Sequence, residues 1–359
     1  MKKLAAAVVA LVLFLTLLTG VHLYALRSFP ESDRSVGYWL STEKDASIIL
    51  LEKNIRPDSA LILGSSELRK FKSSRVNPAN LFNRENLSTM IIGSAVNQSL
   101  NHAILMAAVG SKVKSGKVVL ILSPTWFYSH RDSAARYGMR LSRAFYYPAM
   151  DNEDLSGETK KQIRELMEKA FGGTLPSSFL ENEKDIGRSS YAWAKSGRKK
   201  TLAVESTVQR GEPDFDKLRA KVISSEKGRI NTEYNMYKNS KIMNPVIRKQ
   251  SRRKNLGYDF RNSREYDYLE LFIRVCKEQG ISPVLVLQPI NGKWYDYTGI
   301  DSAKREYCYD RIRRIARNNG VTLEDLSGEE YTEGFFCDAV HPSKKGWLMI
   351  NEKIYSHIK

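Results

Sequence analysis

Cysteine is nearly absent. Cys276, Cys308 and Cys337 are the only three among 359 residues. An odd set at these spacings excludes a disulfide framework and matches no zinc-ligand pattern. Two readings stay open: three buried small apolar side chains, or one joined pair with a spare thiol. Histidine is also scarce, at five residues, so few side chains can serve as a base near neutral pH. Beyond residue 26 no second apolar run is long enough to cross a bilayer, which excludes a polytopic membrane protein. No internal repeat and no extended low-complexity tract is present, so repeat architectures are excluded too. Acid is in deficit, with 40 Asp and Glu against 57 Lys and Arg, for a formal charge of +17.

One long apolar run is present. Residues Leu4 to Leu26 carry no charged side chain and follow Met1-Lys2-Lys3. As a helix these residues rise roughly 34 Å, enough for a hydrocarbon core of ~30 Å. A secretory signal core is shorter, about 7–15 residues, and no small-x-small cleavage site follows, so an uncleaved anchor over residues 1–30 is expected. Lys2 and Lys3 favour a cytoplasmic N-terminus, against the weaker opposing bias of Arg27 and Arg34. The expected protein is a single-pass membrane protein whose residues 31–359 form an extracytoplasmic domain.

The positive charge is uneven. Residues 195–264 hold 19 Lys and Arg against 7 Asp and Glu, with clusters at Arg198-Lys199-Lys200 and Arg252-Arg253-Lys254. In a cytosolic chain this would suggest nucleic acid. The anchor argues for no nucleic acid, because the polyanions outside a membrane are lipid headgroups and phosphate-containing wall polymers. For any one cluster the plain reading is a solvated charged face.

Five apolar runs have strand length and β-branched character: Ala60–Leu63, Met90–Ile92, Val118–Leu122, Pro283–Leu287 and Val321–Leu323. Helices are expected over Gln98–Val109, from Asn262 or Ser263 to a stop at Gly280, over Asp301–Asn319, and after Pro342. Alternating strands and helices give an α/β fold with a parallel sheet covered on both faces. Residues 128–262 break the alternation. They are basic, rich in Tyr and helical in places such as Asp154 to Ala170, and read as an insertion over the sheet's active edge.

Two short motifs carry chemistry. Gly64-Ser65-Ser66-Glu67 follows the first strand directly, where a ligand-binding sheet edge is expected. Ser66 is placed at a helix start, with its N–H aimed at a developing oxyanion, while Ser65 faces the interior of the turn. Near the C-terminus stands Asp338-Ala339-Val340-His341-Pro342. His341 can take the Ser66 proton while Asp338 orients its ring, in the chain order Ser, Asp, His shared by many sheet-based hydrolases. The plain readings are a helix cap for Ser66, a loop cap for Asp338 and a surface residue for His341. His22, His102 and His357 fall in helices, which leaves His130 as the one rival base.

These motifs resemble the SGNH (GDSL-like) hydrolase superfamily. More narrowly, four segments resemble the DltD family of D-alanyl transfer proteins in lipoteichoic acid biosynthesis of Gram-positive bacteria. They are Leu63-Gly64-Ser65-Ser66-Glu67-Leu68, Ser123-Pro124-Thr125-Trp126-Phe127, Gln288 to Tyr297 with Gly299, and Asp338-Ala339-Val340-His341 through Gly346-Trp347. The resemblance implies a three-layer α/β fold around a five-stranded parallel sheet. It implies acyl transfer without metal or cofactor: Ser66 accepts a D-alanyl ester with the help of a membrane-bound O-acyltransferase partner, and a teichoic acid hydroxyl then takes it. His341 acts first as base and then as acid, and the oxyanion is met by Ser66, Gly93 and Thr125. The chain departs from the family at position 125, which is commonly Gln, and Ser94-Ala95-Val96-Asn97 is poorer in Gly than the family pattern. The basic clusters Arg198, Lys199, Lys200, Arg252, Arg253 and Lys254 gain a use in gathering the polymer. Two other functions are weighed: an SGNH O-acetyltransferase or esterase on wall polysaccharide, and a non-catalytic anchored partner of the acyltransferase.

Overall fold

Strands buried on both faces need apolar side chains at every position, and the runs that meet this condition form one parallel sheet. The computed structural model describes residues 2–28, 33–129, 141–173, 175, 177–193 and 203–359. The strands in chain order are β1 (Ala60–Gly64), β2 (Thr89–Gly93), β3 (Val118–Leu122), a short antiparallel hairpin of β4 (Ile230–Asn231) and β5 (Met236–Tyr237), then β6 (Val284–Leu287) and β7 (Leu323–Asp325). The central sheet has the order β2-β1-β3-β6-β7, with all neighbours parallel. The edge strand β2 runs in register with β1, with Gly64 beside Gly93 at their carboxyl ends.

The principal helices are α1 (Lys2–Ser28), α2 (Ser99–Val109), α3 (Gly157–Ala170), α4 (Ser178–Ala192), α5 (Phe215–Glu226), α6 (Glu265–Glu278), α7 (Gly292–Thr298), α8 (Ser302–Asn318) and α9 (Lys344–Ile358). Alternate strand residues feed two cores. Leu61, Leu63, Leu120 and Leu285 point into one core with α2, α6 and α8. Ile62, Ile91, Val119 and Val286 point into the other with Trp347, Ile350 and Ile354 of α9. Sheet and two helical faces give three layers, as expected. Each buried aliphatic or aromatic side chain is worth about 1.5–3 kcal/mol of transfer free energy.

The last strand begins two residues later than the expected Val321–Leu323. Gly320, at φ 59, ends α8, and the Val321 N–H then reaches back to the Ala316 carbonyl at 3.0 Å. This is the closing bond of a glycine-terminated helix, and it withdraws Val321 from the ladder. Pairing starts with Leu323 opposite Leu285.

The α1 helix contains the Lys2–Tyr24 stretch, which is long and apolar enough to cross a membrane. Its threonine hydroxyls are satisfied internally, Thr16 donating to the Val12 carbonyl at 2.9 Å and Thr19 to that of Leu15 at 2.8 Å, as a lipid environment requires. The C-terminal end of α1 packs against α4, where His22 Nδ1 meets Glu183 Oε2 at 3.1 Å. The region expected to be a largely helical insertion holds α3, α4, α5 and the helix Pro245–Ser251, and also the β4–β5 hairpin. Cys276, Cys308 and Cys337 are free and buried. That decides for the buried-thiol reading, and burial pushes the Cys308 thiol up to about 12.

Candidate active site

The nucleophile candidate sits where β1 runs out. Ser65 is buried and its Oγ donates to the Ser94 carbonyl at 3.2 Å, so it faces the interior as expected. Ser66 is half-buried and opens Ser66–Arg69, a single 3-10 turn rather than the expected helix. Two contacts stop the helix. The Lys70 N–H closes on the Glu67 carbonyl at 2.9 Å, and Asn77 Nδ2 donates to the Leu68 and Lys70 carbonyls at 2.9 and 2.8 Å. Those carbonyls are the acceptors a further turn would need. With one short turn behind it, Ser66 gains local N–H groups but no long helix dipole.

Buried groups fix this turn from below. The Glu67 carboxylate accepts the Ser65 N–H at 2.5 Å. Burial raises the Glu67 carboxyl, while the Ser65 and Glu67 N–H groups and the nearby His341 pull the other way. His102, fully buried on α2, lies 2.9 Å from the Gly64 carbonyl through Nε2. Burial lowers its pKa to about 4 against the smaller opposing effect of that bond, so near neutral pH the imidazole is uncharged and Nε2–H is the donor.

Asp338 and His341 come from a tight C-terminal loop. An antiparallel bridge joins Phe336 to Pro342, and the Cys337 N–H donates to the His341 carbonyl at 3.0 Å. Ser343 caps α9 and its hydroxyl donates to the Gly334 carbonyl at 2.5 Å. Within the loop Asp338 Oδ1 accepts the N–H groups of Val340 and His341 at 3.0 and 2.9 Å, a local turn typical of aspartate. His341 Nδ1 lies 2.9 and 3.0 Å from the two Asp338 oxygens, and Nε2 lies 2.8 Å from Ser66 Oγ. With Nδ1–H donating to Asp338, Nε2 is left to accept the Ser66 proton.

Lys70 adds a contact that the sequence did not suggest. Its ammonium donates to Asp338 Oδ2 at 2.9 Å. Burial alone would raise the Asp338 carboxyl, but the bonds from His341, the Val340 N–H and Lys70 outweigh it and hold the carboxyl well below the usual range. The acid is therefore ionised wherever the imidazole can act as a base.

The Gln288–Tyr297 segment braces the loop. Asn291 caps α7, and its Nδ2 donates to the Tyr234 and Asn235 carbonyls at 3.0 and 3.1 Å. Asn235 in turn donates to the Thr332 carbonyl at 2.9 Å and accepts the Gly334 N–H at 2.8 Å. Below it, buried Arg305 reaches both Glu330 oxygens at 2.9 and 3.0 Å and Asp296 at 2.7 Å. A chain of polar bonds thus runs from the family-level segment to the residues just before Asp338.

The expected oxyanion donors are less uniform. The Ser66 N–H opens its turn and has no intra-turn acceptor. The Gly93 N–H, expected to be free, donates to Asp45 Oδ2 at 3.1 Å. Asp45 also accepts from Ser94 Oγ at 2.8 Å and lies 3.6 Å from buried Lys44 and 3.9 Å from Arg69. Burial raises its carboxyl against all these contacts. Thr125 is buried, with Oγ1 2.9 Å from Ser123 Oγ. Of the polymer-binding candidates, Arg252, Arg253 and Lys254 are exposed, hung beside α7 by the Arg253 N–H on the Tyr297 carbonyl at 3.1 Å. Arg198, Lys199 and Lys200 lie outside the described residues, as does the rival base His130.

Two cavities border the site. One of about 500 Å³ has Lys70, Asp338 and His341 in its wall. The other, about 300 Å³, has Asp45, Ser94 and Asn97 in its wall with Glu181, Lys184 and Arg188 of α4.

The sequence matches the DltD protein family over residues 39–175 and 167–359. It is 26% identical over 318 residues to Protein DltD of Staphylococcus aureus (strain NCTC 8325 / PS 47), covering 83% of this chain and 80% of that protein. It is 27% identical over 321 residues to Protein DltD of Bacillus subtilis (strain 168), covering 82% and 80%. Protein DltD of Lacticaseibacillus rhamnosus is 22% identical over 342 residues, covering 83% and 77%. With the family match running from residue 39 to residue 359, the chain belongs to the DltD family.

Proposed function

We propose that this protein serves the D-alanylation of teichoic acids by carrying the D-alanyl group as an ester on Ser66. The observation that carries the reading is the 2.8 Å contact of Ser66 Oγ with His341 Nε2, backed by Asp338 at 2.9 Å. In the first half-reaction Ser66 Oγ attacks the acyl carbon and its proton passes to His341 Nε2. The donor's leaving group departs with that proton. In the second, a polymer hydroxyl gives its proton to Nε2, its oxygen forms the new ester bond, and Ser66 Oγ leaves and is reprotonated. Asp338 stabilises the transient imidazolium. The Ser66 N–H meets the oxyanion, with Thr125 and the Gly93 N–H as further donors, the latter once Asp45 releases it.

The reading extends to compartment and partners. The α1 helix holds the catalytic domain of residues 31–359 at the outer membrane face, with the N-terminus in the cytoplasm. A membrane-bound O-acyltransferase supplies the acyl group. The basic insertion at 128–262, through Arg252, Arg253, Lys254 and the Arg198-Lys199-Lys200 cluster, gathers the polyphosphate chain. The test is intact-mass analysis of the full-length protein after incubation with a D-alanyl thioester. The expected result is one D-alanyl adduct on Ser66, lost in Ser66→Ala. Cells whose Ser66→Ala protein still sustains full D-alanylation would replace this reading with that of a non-catalytic partner.

A further inference from the structure

Helix α4 has its polarity turned inside out. At about 100° per residue, Glu181, Asp185 and Ser189 fall on one side of it, and all three are buried against the domain. Asp185 Oδ2 accepts from Ser47 Oγ at 3.2 Å and from the Ile49 N–H at 3.1 Å, and Ser189 Oγ lies 2.6 Å from Ser47 Oγ. Burial pushes the Asp185 carboxyl up to about 6 against these bonds. The opposite side, an arc of about 120°, carries Phe179, Leu180, Glu183, Gly187 and Tyr191. Phe179 stays 67% exposed, Leu180 52% and Tyr191 62%. A helix that packs on a domain in water has the reverse arrangement. Among the described residues outside α1, Phe179 is the most exposed of the large apolar side chains.

The bonds on the buried side fix which way the apolar side looks. That way lies the membrane helix. Glu183, in the middle of the apolar side, meets His22 on α1, and His22 stands two residues before the end of the Lys2–Tyr24 stretch. Two residues are about 3 Å of helix rise, so the contact marks the level where that stretch leaves the hydrocarbon. Leu17, Leu18 and Val21 of α1 are exposed just below it. The apolar side of α4 is therefore continuous with the apolar surface of the membrane helix, and the carboxylate on it is held by His22.

We propose that α4 is an interfacial helix, docked on the bilayer through Phe179, Leu180 and Tyr191 at the depth of the lipid headgroups. Aromatic and leucine side chains partition to this level. Lys184 and Arg188, exposed at the margin of the apolar side, reach the phosphates from it. The domain is then held at two places, by α1 and by the side of α4, which fixes its tilt on the membrane. The cavity that holds Asp45 and Ser94, walled on one side by α4, is set down beside the bilayer. This requires α1 in lipid and holds whether or not Ser66 carries an acyl group.

The experiment uses the full chain, one copy per phosphatidylcholine nanodisc, with a bimane label on Leu180→Cys or on Gly187→Cys. A side chain at Gly187 meets nothing within 4 Å, and the native thiols are buried. Lipids carrying a nitroxide high or low on the acyl chain serve as quenchers. The expected result is loss of fluorescence at both positions, larger with the high nitroxide, for a face about 5–10 Å deep in the interface. Phe179→Ser with Leu180→Ser should restore the fluorescence of the Gly187→Cys label at an unchanged melting temperature. Quenching that persists in this variant comes from the nearness of α1 alone and overturns the docking. So does a label open to aqueous iodide and insensitive to both lipids. If that label is shielded only when discs hold two copies, the face belongs to a dimer. If it is shielded only in vesicles of native membrane, the face belongs to a membrane protein. Either result overturns the lipid assignment.

Discussion

Two aspartates, each with a lysine beside it, serve the surroundings of Ser66 in opposite ways. Asp338 stands at the wall of an open cavity, bound to His341, to two backbone N–H groups and to Lys70, and its carboxyl is held low. Asp45 is 7% exposed, beside the fully buried Lys44, and its carboxyl is pushed up by burial. The residue types are the same and the solvation is not. Asp338, which in the proposed mechanism stabilises a transient imidazolium, keeps its charge at the solvent edge. A carboxylate that ties the end of β2 to its neighbours is buried and costs stability if its partners are removed.

Four experiments break or sharpen this contrast. Asp338→Asn should slow acyl-Ser66 formation by about 10⁴-fold, because the imidazole loses its orienting charge and its tautomer. Single-turnover acylation measures it, and a loss of melting temperature without loss of rate would put Asp338 in the class of Asp45. Asp45→Ala should cost about 3–5 kcal/mol of unfolding free energy by stranding buried Lys44. Denaturant titration measures this, and the double variant with Lys44→Met should recover part of the loss.

The third experiment concerns His102, which belongs with the buried class. Its folded pKa of about 4 lies below the ordinary 6.5. The unfolded chain thus takes up a proton that the folded chain refuses, so this stability is intact above pH 6.5 and is lost as pH falls towards 4. The full loss is about 3 kcal/mol, read as the pH dependence of denaturant midpoints. His102→Gln should flatten that slope, and an unchanged slope would assign the acid sensitivity elsewhere. The smallest effect is expected at Lys70. Lys70→Met removes one of the contacts that hold the Asp338 carboxyl low and should slow single-turnover acylation by about threefold or less. Lys70→Arg should restore the rate, whereas a Lys70 with no part in holding Asp338 would leave it unchanged.

The sequence made some of this legible. Ala60–Leu63, Met90–Ile92 and Val118–Leu122 could be read as strands because a sheet covered on both faces allows apolar residues throughout. Ser66, Asp338 and His341 could be read because each motif is short and local, and the sheet edge unites them. What escaped is set by partners far away in sequence. The Asp45 bond to Gly93 spans 48 residues, and the Lys70 bond to Asp338 spans 268. Neither has a local pattern. The missing helix after Ser66 has a similar cause, since nothing near Ser66 announces that Asn77 will take its carbonyls. Asn291 was legible as part of a family segment, but its use as a brace depends on Asn235, reached only through the folded hairpin.

The paired glycines at the ends of β1 and β2 carry one more consequence. A methyl group on Gly93 would lie 2.9 Å from the Gly64 carbonyl, and one on Gly64 would lie 2.6 Å from Glu67 Oε1. A side chain on Gly93 would push against the Gly64 backbone, one at either position would meet the Leu68 side chain, and Ser66 travels with Gly64. Substitutions at the two positions should therefore be non-additive. The spacing between two backbones, with no side chain of its own, acts as a gauge for where Ser66 stands relative to His341.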